Sequence, residues 1–260
     1  MPGARITASA CLRALAVRLH DQVEQPHREA ERLLAHASNR PRSWLYSHGG
    51  TVLDEAIHTR VWELLQRRID GEPMAYLLGT QDFRRLQLRV DPAVLIPRPE
   101  TEELVDHALA CLRASAPCEA APLTVLDLGT GSGAIALALA DEASPVRVVA
   151  VDRSASALAC ARDNGQRLGL AVDWRAGDWF GPVQGERFHL IVANPPYIAE
   201  RDPHLGQGDL RHEPVGALVS GRDGLNALRI IIRGAPAHVH PGGWLVLEHG
   251  YDQARAVGQE

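Results

Sequence analysis

Asn194-Pro195-Pro196-Tyr197 is the segment of this 260-residue chain whose residue types point most directly to chemistry. Asn194 offers a side-chain carbonyl that accepts hydrogen bonds. The two prolines lack N–H donors and hold φ fixed, so they present carbonyls rigidly with little entropy left to lose. Tyr197 supplies a flat apolar face. Together these suit a planar group bearing NH2: one hydrogen goes to the Asn194 side chain, the other to the Pro195 carbonyl, and the Tyr197 ring packs on the plane. A carboxamide nitrogen is a poor nucleophile because its lone pair is delocalised. Two fixed acceptors raise its electron density and turn the lone pair towards an electrophile, an effect of orientation and fixed dipoles. A methyl group on a positively charged sulfur is a fitting electrophile, because its charge is lost in the transfer and the leaving group needs no acid. The expected catalytic residues are Asn194, Pro195 and Tyr197, with Asn194, Pro195, Pro196 and Tyr197 holding the acceptor.

A second constellation lies upstream. The apolar run Thr124–Leu128 leads into Gly129-Thr130-Gly131-Ser132-Gly133-Ala134. Glycines let the backbone turn tightly and let a ligand approach without a Cβ in the way, and the following helix aims its positive end at the crevice. About 20 residues after such a turn, a carboxylate at a strand end can accept hydrogen bonds from both ribose hydroxyls; Asp152 stands there. These residues indicate a nucleoside cofactor. Gly129-x-Gly131-x-x-Ala134 also satisfies the looser dinucleotide fingerprint, so the turn alone leaves the cofactor open.

The elements that must position these groups change character along the chain. Leu12, Leu15, Ala16 and Leu19 recur at helical spacing, as do Ala30, Leu33, Leu34 and Ala37, and then Ile57, Val61, Leu64, Leu65 and Ile69. Pro26 and Pro41 stand near segment starts, and Gly49-Gly50 and Gly71 near ends. A small helical bundle is expected over residues 1–75. Phe83–Val90 alternates as a strand or hairpin arm, Pro92, Pro97 and Pro99 impose an extended linker, and residues 76–101 form this connecting region. A helix is expected over 102–113. From there to residue 260, apolar runs at Thr124–Leu128, Val146–Val151, Leu190–Ala193 and Trp244–Leu247 alternate with helical stretches at Ala134–Ala140 and Ala155–Leu168. That alternation predicts an α/β domain, a doubly wound, mostly parallel sheet.

Composition removes other classes. Apolar residues make up 45% and charged residues 23%, which excludes a disordered or collagen-like chain. No apolar run reaches the roughly 20 residues that span a bilayer, and Arg5, Arg13 and Arg18 break up the start of the chain as a secretory leader. A cytoplasmic protein is expected. Cys11, Cys111, Cys118 and Cys160 show no metal or disulfide spacing and read as reduced, mostly buried thiols; the histidines show no metal-ligand spacing, so no metal site is expected. The chain has no lysine, which excludes Schiff-base and P-loop lysine chemistry. Residues 1–100 carry 14 arginines against 12 acids, and residues 101–260 carry 13 against 20. An acidic second part is a poor surface for duplex nucleic acid and suits a cationic small molecule better.

The tetrad, the glycine turn and Asp152 resemble those of class I S-adenosylmethionine-dependent methyltransferases. The chain is more closely similar to the peptide-chain release-factor glutamine methyltransferases over roughly residues 10 to 255. Gly71-Glu72-Pro73, Gly79, Leu95-Ile96-Pro97-Arg98-Pro99-Glu100-Thr101-Glu102, Asp127–Gly133, Asp152-Arg153, Asp178-Trp179-Phe180, Asn194–Tyr197, Glu213-Pro214 and Gly221–Leu225 stand in that family's order. The resemblance implies S-adenosyl-L-methionine as cofactor. Gly129, Thr130, Gly131, Ser132 and Gly133 would cradle its methionine part, Asp152 its ribose, and Trp179 its adenine beside Asp178. Asn194 would touch both cofactor and acceptor. It further implies, as acceptor, the glutamine of the Gly-Gly-Gln motif of bacterial class 1 release factors, docked by the helical domain, with no membrane or direct nucleic-acid partner. The family's sheet closes with a further strand pair beyond the point this sequence reaches, which would leave the last strand here with an open edge. Within the linker, Arg98 and Glu100 are near enough in sequence to pair. A ribosomal-protein glutamine methyltransferase and an adenine or cytosine amino-methyltransferase share the tetrad and remain alternatives. A nicotinamide oxidoreductase has no use for the tetrad; a non-catalytic binding module is a further alternative, should the shortened sheet lack activity.

Overall fold

A computed structural model describes residues 6–115, 122–143 and 145–260; Arg5 and Cys118 fall outside them. The chain forms two compact units, Met1–Leu78 and Gly79–Glu260.

The first unit holds helices α1 (Ala8–Leu19), α2 (Pro26–Ser38), α3 (Arg42–Ser47), α4 (Glu55–Ile69) and α5 (Met74–Leu78). Local chemistry sets their ends. The Thr7 hydroxyl accepts from Ala10 N and the Asp54 carboxylate from Ile57 N, each satisfying an amide that the helix leaves free. Pro26 opens α2, and Asn39, at φ 51°, ends it in the left-handed region. The apolar stripes close on one another: Cys11, Leu15 and Leu19 pack with Leu33, Leu34, Ala37, Val61 and Leu65. Sequence periodicity shows three of these helices; α3 and α5 are too short to carry a period.

The second unit opens with an antiparallel hairpin, β1 (Thr80–Phe83) and β2 (Leu86–Arg89), turning at Arg84 with φ 52°. Helix α6 (Pro99–Ala114) follows. It begins three residues before the expected 102, because Pro99 is its first residue rather than part of an extended linker: the missing N–H costs nothing in a first turn. The sheet then builds from β3 (Leu123–Leu128), α7 (Ala134–Glu142), β4 (Val146–Asp152), α8 (Ala155–Leu168), β5 (Asp173–Ala176), β6 (Phe188–Ala193), α9 (Val215–Leu218), α10 (Asn226–His238), β7 (Val239–Leu247) and α11 (Ala254–Val257).

All five strands are parallel, in the order β5-β4-β3-β6-β7. Val125, Leu126, Leu128, Val149, Leu190, Ile191 and Val192 are fully buried, as strands covered on both faces must be. Side chains alternate between two cores. Val125, Val148, Ala150, Leu190 and Val192 meet α6 and α7; Leu126, Leu128, Val149, Val151 and Ile191 meet Phe180, Ile231 and Ala235. The outer strands read differently. In β5 the sequence is Asp-Trp-Arg-Ala, with no apolar run to announce it. Strand β7 begins at Val239, ahead of the expected Trp244, and its register jumps from Val239 opposite Phe188 to Trp244 opposite Leu190 across Pro241-Gly242-Gly243. It lies at the sheet edge, where Trp244 is 44% exposed. Among the described residues no helix is long and apolar enough to cross a membrane.

Strand order reverses direction on either side of β3, and open α/β sheets bind ligands at the carboxyl ends of strands at such a switch. Gly129 follows β3, Asp152 ends β4, Asp178 follows β5, Asn194 follows β6 and Glu248 follows β7.

Candidate active site

A cavity of about 480 Å³ lies across those strand ends, lined by Gly129, Gly131, Asp152, Asp178, Trp179, Asn194 and Pro196 among others. That size falls in the range of small-molecule sites, roughly 300–1,000 Å³. Of the expected cofactor residues, these six gather at the cavity: Gly129, Gly131, Asp152, Asp178, Trp179 and Asn194. Thr130, Ser132 and Gly133 lie behind it and build the turn. Thr130 is buried and donates its hydroxyl to Asp127 Oδ2 at 2.6 Å. The carbonyl of the buried Ser132 accepts from Asn164 Nδ2 at 3.0 Å. Gly133, at φ 84°, packs so closely that a Cβ would stand 3.0 Å from Trp174 and 3.1 Å from Leu137.

At the cavity wall the fit to a cationic nucleoside cofactor can be tested. Gly129 (φ 76°) and Gly131 (φ 58°) bare their backbone; a Cβ on Gly131 would meet nothing within 4 Å, so the space over it is open, and one on Gly129 would meet the Trp179 ring at 3.7 Å. Trp179 itself sits at φ 44°, a backbone region a bulky residue rarely adopts, and its side chain both lines the cavity and packs against the core around Phe180 and Leu128. The charge is of the right sign. Asp152 and Asp178 line the space, and the one arginine in the lining, Arg153, donates to the Gly216 carbonyl at 3.3 Å. Asp152 Oδ2 accepts from Gly131 N at 2.9 Å and Oδ1 from Ser154 N at 2.8 Å. The residues present fit S-adenosyl-L-methionine, whose sulfonium and ammonium are both positive.

Asp127, which had not been singled out as a site residue, is fully buried, and its Oδ1 has no hydrogen-bond partner. Burial, with the nearby Asp152 charge adding to it, pushes its carboxyl up to about 7 against the hydrogen bonds from Thr130 and Ala136 N. An acid near the end of a buried apolar strand, directly before a glycine turn, is the sequence signal for it.

The tetrad closes the other end. Pro196 lines the cavity and Pro195 is buried. Asn194 Nδ2 donates to Thr101 Oγ1 at 3.0 Å, Thr101 Oγ1 donates to Glu248 Oε2 at 2.8 Å, and the Tyr197 hydroxyl donates to Glu248 Oε1 at 3.1 Å. Gln253 Nε2 donates to the Tyr197 carbonyl at 2.9 Å. Asn194 Oδ1 and the Pro195 carbonyl accept nothing from the described residues. Burial and the Glu248 charge push the Tyr197 hydroxyl up to about 12, so it stays a neutral donor. Glu248 itself is raised by burial, opposed by hydrogen bonds from Thr101, Tyr197 and Asn194. Neither Glu248 nor Thr101 was assigned a role from sequence; the signal for Glu248 was an acid ending the apolar run Trp244–Leu247, as Asp152 ends β4.

Arg98 does not pair with Glu100. Its guanidinium bonds Glu213 Oε2 at 2.5 Å, and Ile96 N donates to Glu213 Oε1 at 3.2 Å. The Glu213 side chain is wholly buried, so it takes the cation that reaches it from outside, while Glu100 sits exposed on the first turn of α6.

Comparison with known proteins agrees with the fold and gives the family. Residues 10–79 match the family described as PrmC N-terminal domain and residues 102–208 the Methyltransferase small domain. A release factor glutamine methyltransferase of Xylella fastidiosa (strain Temecula1) is 53% identical over 230 residues, covering 88% of this chain and 82% of its own. Its counterpart in Escherichia coli (strain K12) is 46% identical over 237 residues, covering 91% and 83%. The solved 16S rRNA N2 G1207 methyltransferase of T. thermophilus, in complex with AdoMet and guanosine, superposes with a TM-score of 0.50 over 69% of this chain and 44% of that one; at 20% identity the likeness is one of fold.

Proposed function

The chain belongs to the release factor glutamine methyltransferase family, S-adenosylmethionine-dependent enzymes, and from that premise we propose that it methylates the side-chain amide nitrogen of the glutamine in the Gly-Gly-Gln motif of class 1 release factors, in the cytoplasm. The observation that carries this is a pair of acceptors, Asn194 Oδ1 and the Pro195 carbonyl, that take no hydrogen bond from the described residues, in a segment whose Asn194 and Pro196 line the cavity.

The bound cofactor supplies a methyl group on a positively charged sulfur. Everything else is positioning by this chain. Asn194 Oδ1 and the Pro195 carbonyl each accept one hydrogen of the glutamine NH2, and the Tyr197 ring packs on the amide plane. Held so, the nitrogen presents its lone pair to the cavity. Both acceptors are neutral and orient the hydrogens without removing them, so the proton that the nitrogen loses passes to water. Asp152 holds the ribose hydroxyls with the remaining acceptor directions of its two oxygens. The Gly129–Gly131 backbone lies along the methionine part, and Trp179, beside Asp178, packs on adenine. Neutral prolines around the clamp keep competing donors away. Helices of the first unit dock the body of the release factor.

Incubation of the chain with methyl-labelled S-adenosylmethionine and, separately, a class 1 release factor, ribosomal proteins and DNA tests this. Label on the Gly-Gly-Gln glutamine, located by mass spectrometry, is the expected result. Label only on a ribosomal glutamine or on base amino groups would reject the proposed acceptor.

A further inference from the structure

An asparagine amide can sit either way round, and only one way serves the clamp: Oδ1 must face the acceptor nitrogen's hydrogens, and Nδ2 must face the protein. We infer that Glu248, acting through Thr101, is the positioning residue that sets this orientation and fixes Tyr197 as well, so that one carboxylate at the end of β7 aligns both ends of the tetrad. The inference rests on the proposed reading of the tetrad as a glutamine clamp.

The direction of the hydrogen-bond chain follows from what each group can do. An ionised carboxylate only accepts. Glu248 Oε2 therefore takes the Thr101 hydroxyl hydrogen at 2.8 Å, and Oε1 takes that of Tyr197 at 3.1 Å. A threonine hydroxyl has one hydrogen, so once it is given to Glu248 the oxygen can only accept from Asn194. That partner must be Nδ2, found at 3.0 Å. Flipping the amide would set Oδ1 against oxygen lone pairs, leaving a polar contact unmade in a half-buried site.

Backbone geometry holds the relay rigid. Thr101 lies in the first turn of α6 and is 4% exposed. Glu248 N donates to Ala193 O at 3.0 Å, which ties the relay's acid to the residue just before Asn194. Gln253 Nε2 holds the Tyr197 carbonyl, and Gly224 is packed there so closely that a Cβ would stand 2.2 Å from that oxygen. The relay thus joins three separate segments, the start of α6, the end of β6 and the end of β7, at one polar node.

The test uses the whole chain with Thr101→Val, Thr101→Ser and Glu248→Gln. Valine keeps the shape and loses the hydroxyl; serine keeps the hydroxyl; glutamine can present an amide in either sense. Thr101→Val and Glu248→Gln are expected to lower kcat by about tenfold or more, the scale of one lost hydrogen bond. KM for the release factor and Kd for S-adenosylmethionine, the latter by calorimetry, stay close to wild type. Thr101→Ser recovers most of kcat. In ¹⁵N spectra the Asn194 side-chain NH2 pair, resolved and slow to exchange in wild type, is expected to exchange freely in Thr101→Val. A Thr101→Val enzyme with unchanged kcat, a serine variant as slow as the valine one, or a loss of cofactor binding parallel to the loss of kcat would overturn the inference, the last two because they reveal a packing role. Should wild type transfer no methyl to a release factor, the clamp reading beneath it would fall first; wild-type transfer with an unimpaired valine variant would sink this inference alone.

Discussion

Asp152 spends one acceptor direction of each carboxylate oxygen on a backbone amide, Gly131 N and Ser154 N, and so arrives at the cavity already oriented. Removing it by Asp152→Ala is expected to weaken S-adenosylmethionine by on the order of 1–3 kcal/mol, read as a rise in Kd by calorimetry; an unchanged Kd would confine the residue to holding the turn. Asn194→Ala should abolish measurable transfer while cofactor binding persists, because in the proposed clamp its acceptor is needed only when the glutamine amide is aligned. Activity equal to wild type would remove it from the clamp. Asp127 makes a prediction about pH. An ordinary aspartate ionises near 4, whereas burial holds this one protonated up to about 7. Between those values the folded chain binds a proton the unfolded chain has released. The stability from this group is complete below about pH 4 and is lost as pH rises through about 7. Asp127→Asn is neutral throughout, so the wild-type Tm should fall relative to the variant's between about pH 4 and pH 7 and run parallel to it above that. Tm profiles parallel within that window too would mean that the carboxyl is already ionised.

At the level of elements, the segment before α6 and the segment before α9 are joined by Arg98 and Glu213, with Val94 and Leu95 from one side and Pro214, Gly216 and Ala217 from the other bordering the cavity. Burial raises the Glu213 carboxyl, and the Arg98 charge opposes that rise. Breaking such a pair from one side leaves an uncompensated buried charge. Arg98→Met is expected to cost on the order of 3 kcal/mol in urea unfolding, and Arg98→Met with Glu213→Gln to recover much of it. Additive losses in the double variant would mean that the two side chains act independently. The elements that sequence reading identified are those whose burial imposes a period. Helices α2, α4 and α8 show an apolar stripe, and β3, β4 and β6 show continuous apolar runs. The half-exposed Asp-Trp-Arg-Ala of β5 shows neither, because an edge strand is covered incompletely. Pro99 looked like linker and is helix because proline is penalised inside a helix but not at its first position.

Over the whole molecule, each unit carries its own core: Leu15, Leu33 and Leu65 centre the first, while the sheet of the second is packed on both faces. The cavity is lined entirely from within Gly79–Glu260. Residues 79–260 expressed alone should therefore bind S-adenosylmethionine with an affinity close to that of the whole chain, yet transfer methyl to a release factor poorly. Full transfer by the shorter chain would remove the docking role proposed for the helices. The acidic balance of residues 101–260 agrees with a positively charged ligand at the strand ends.

By itself the sequence determined the fold class and marked the glycine turn, Asp152 and the tetrad proposed to hold the acceptor, since each depends on neighbours within a few residues: a strand's apolar run, a turn's glycines, two prolines in a row. What only the tertiary structure decided is which groups meet across long separations. Thr101 and Glu248 stand 147 positions apart in the chain and 2.8 Å apart in space, and Glu213 reaches Arg98 rather than Glu100. Parallel strand pairing brings the carboxyl ends of distant strands to one edge, and no local pattern of residues encodes which of their side chains will face each other there.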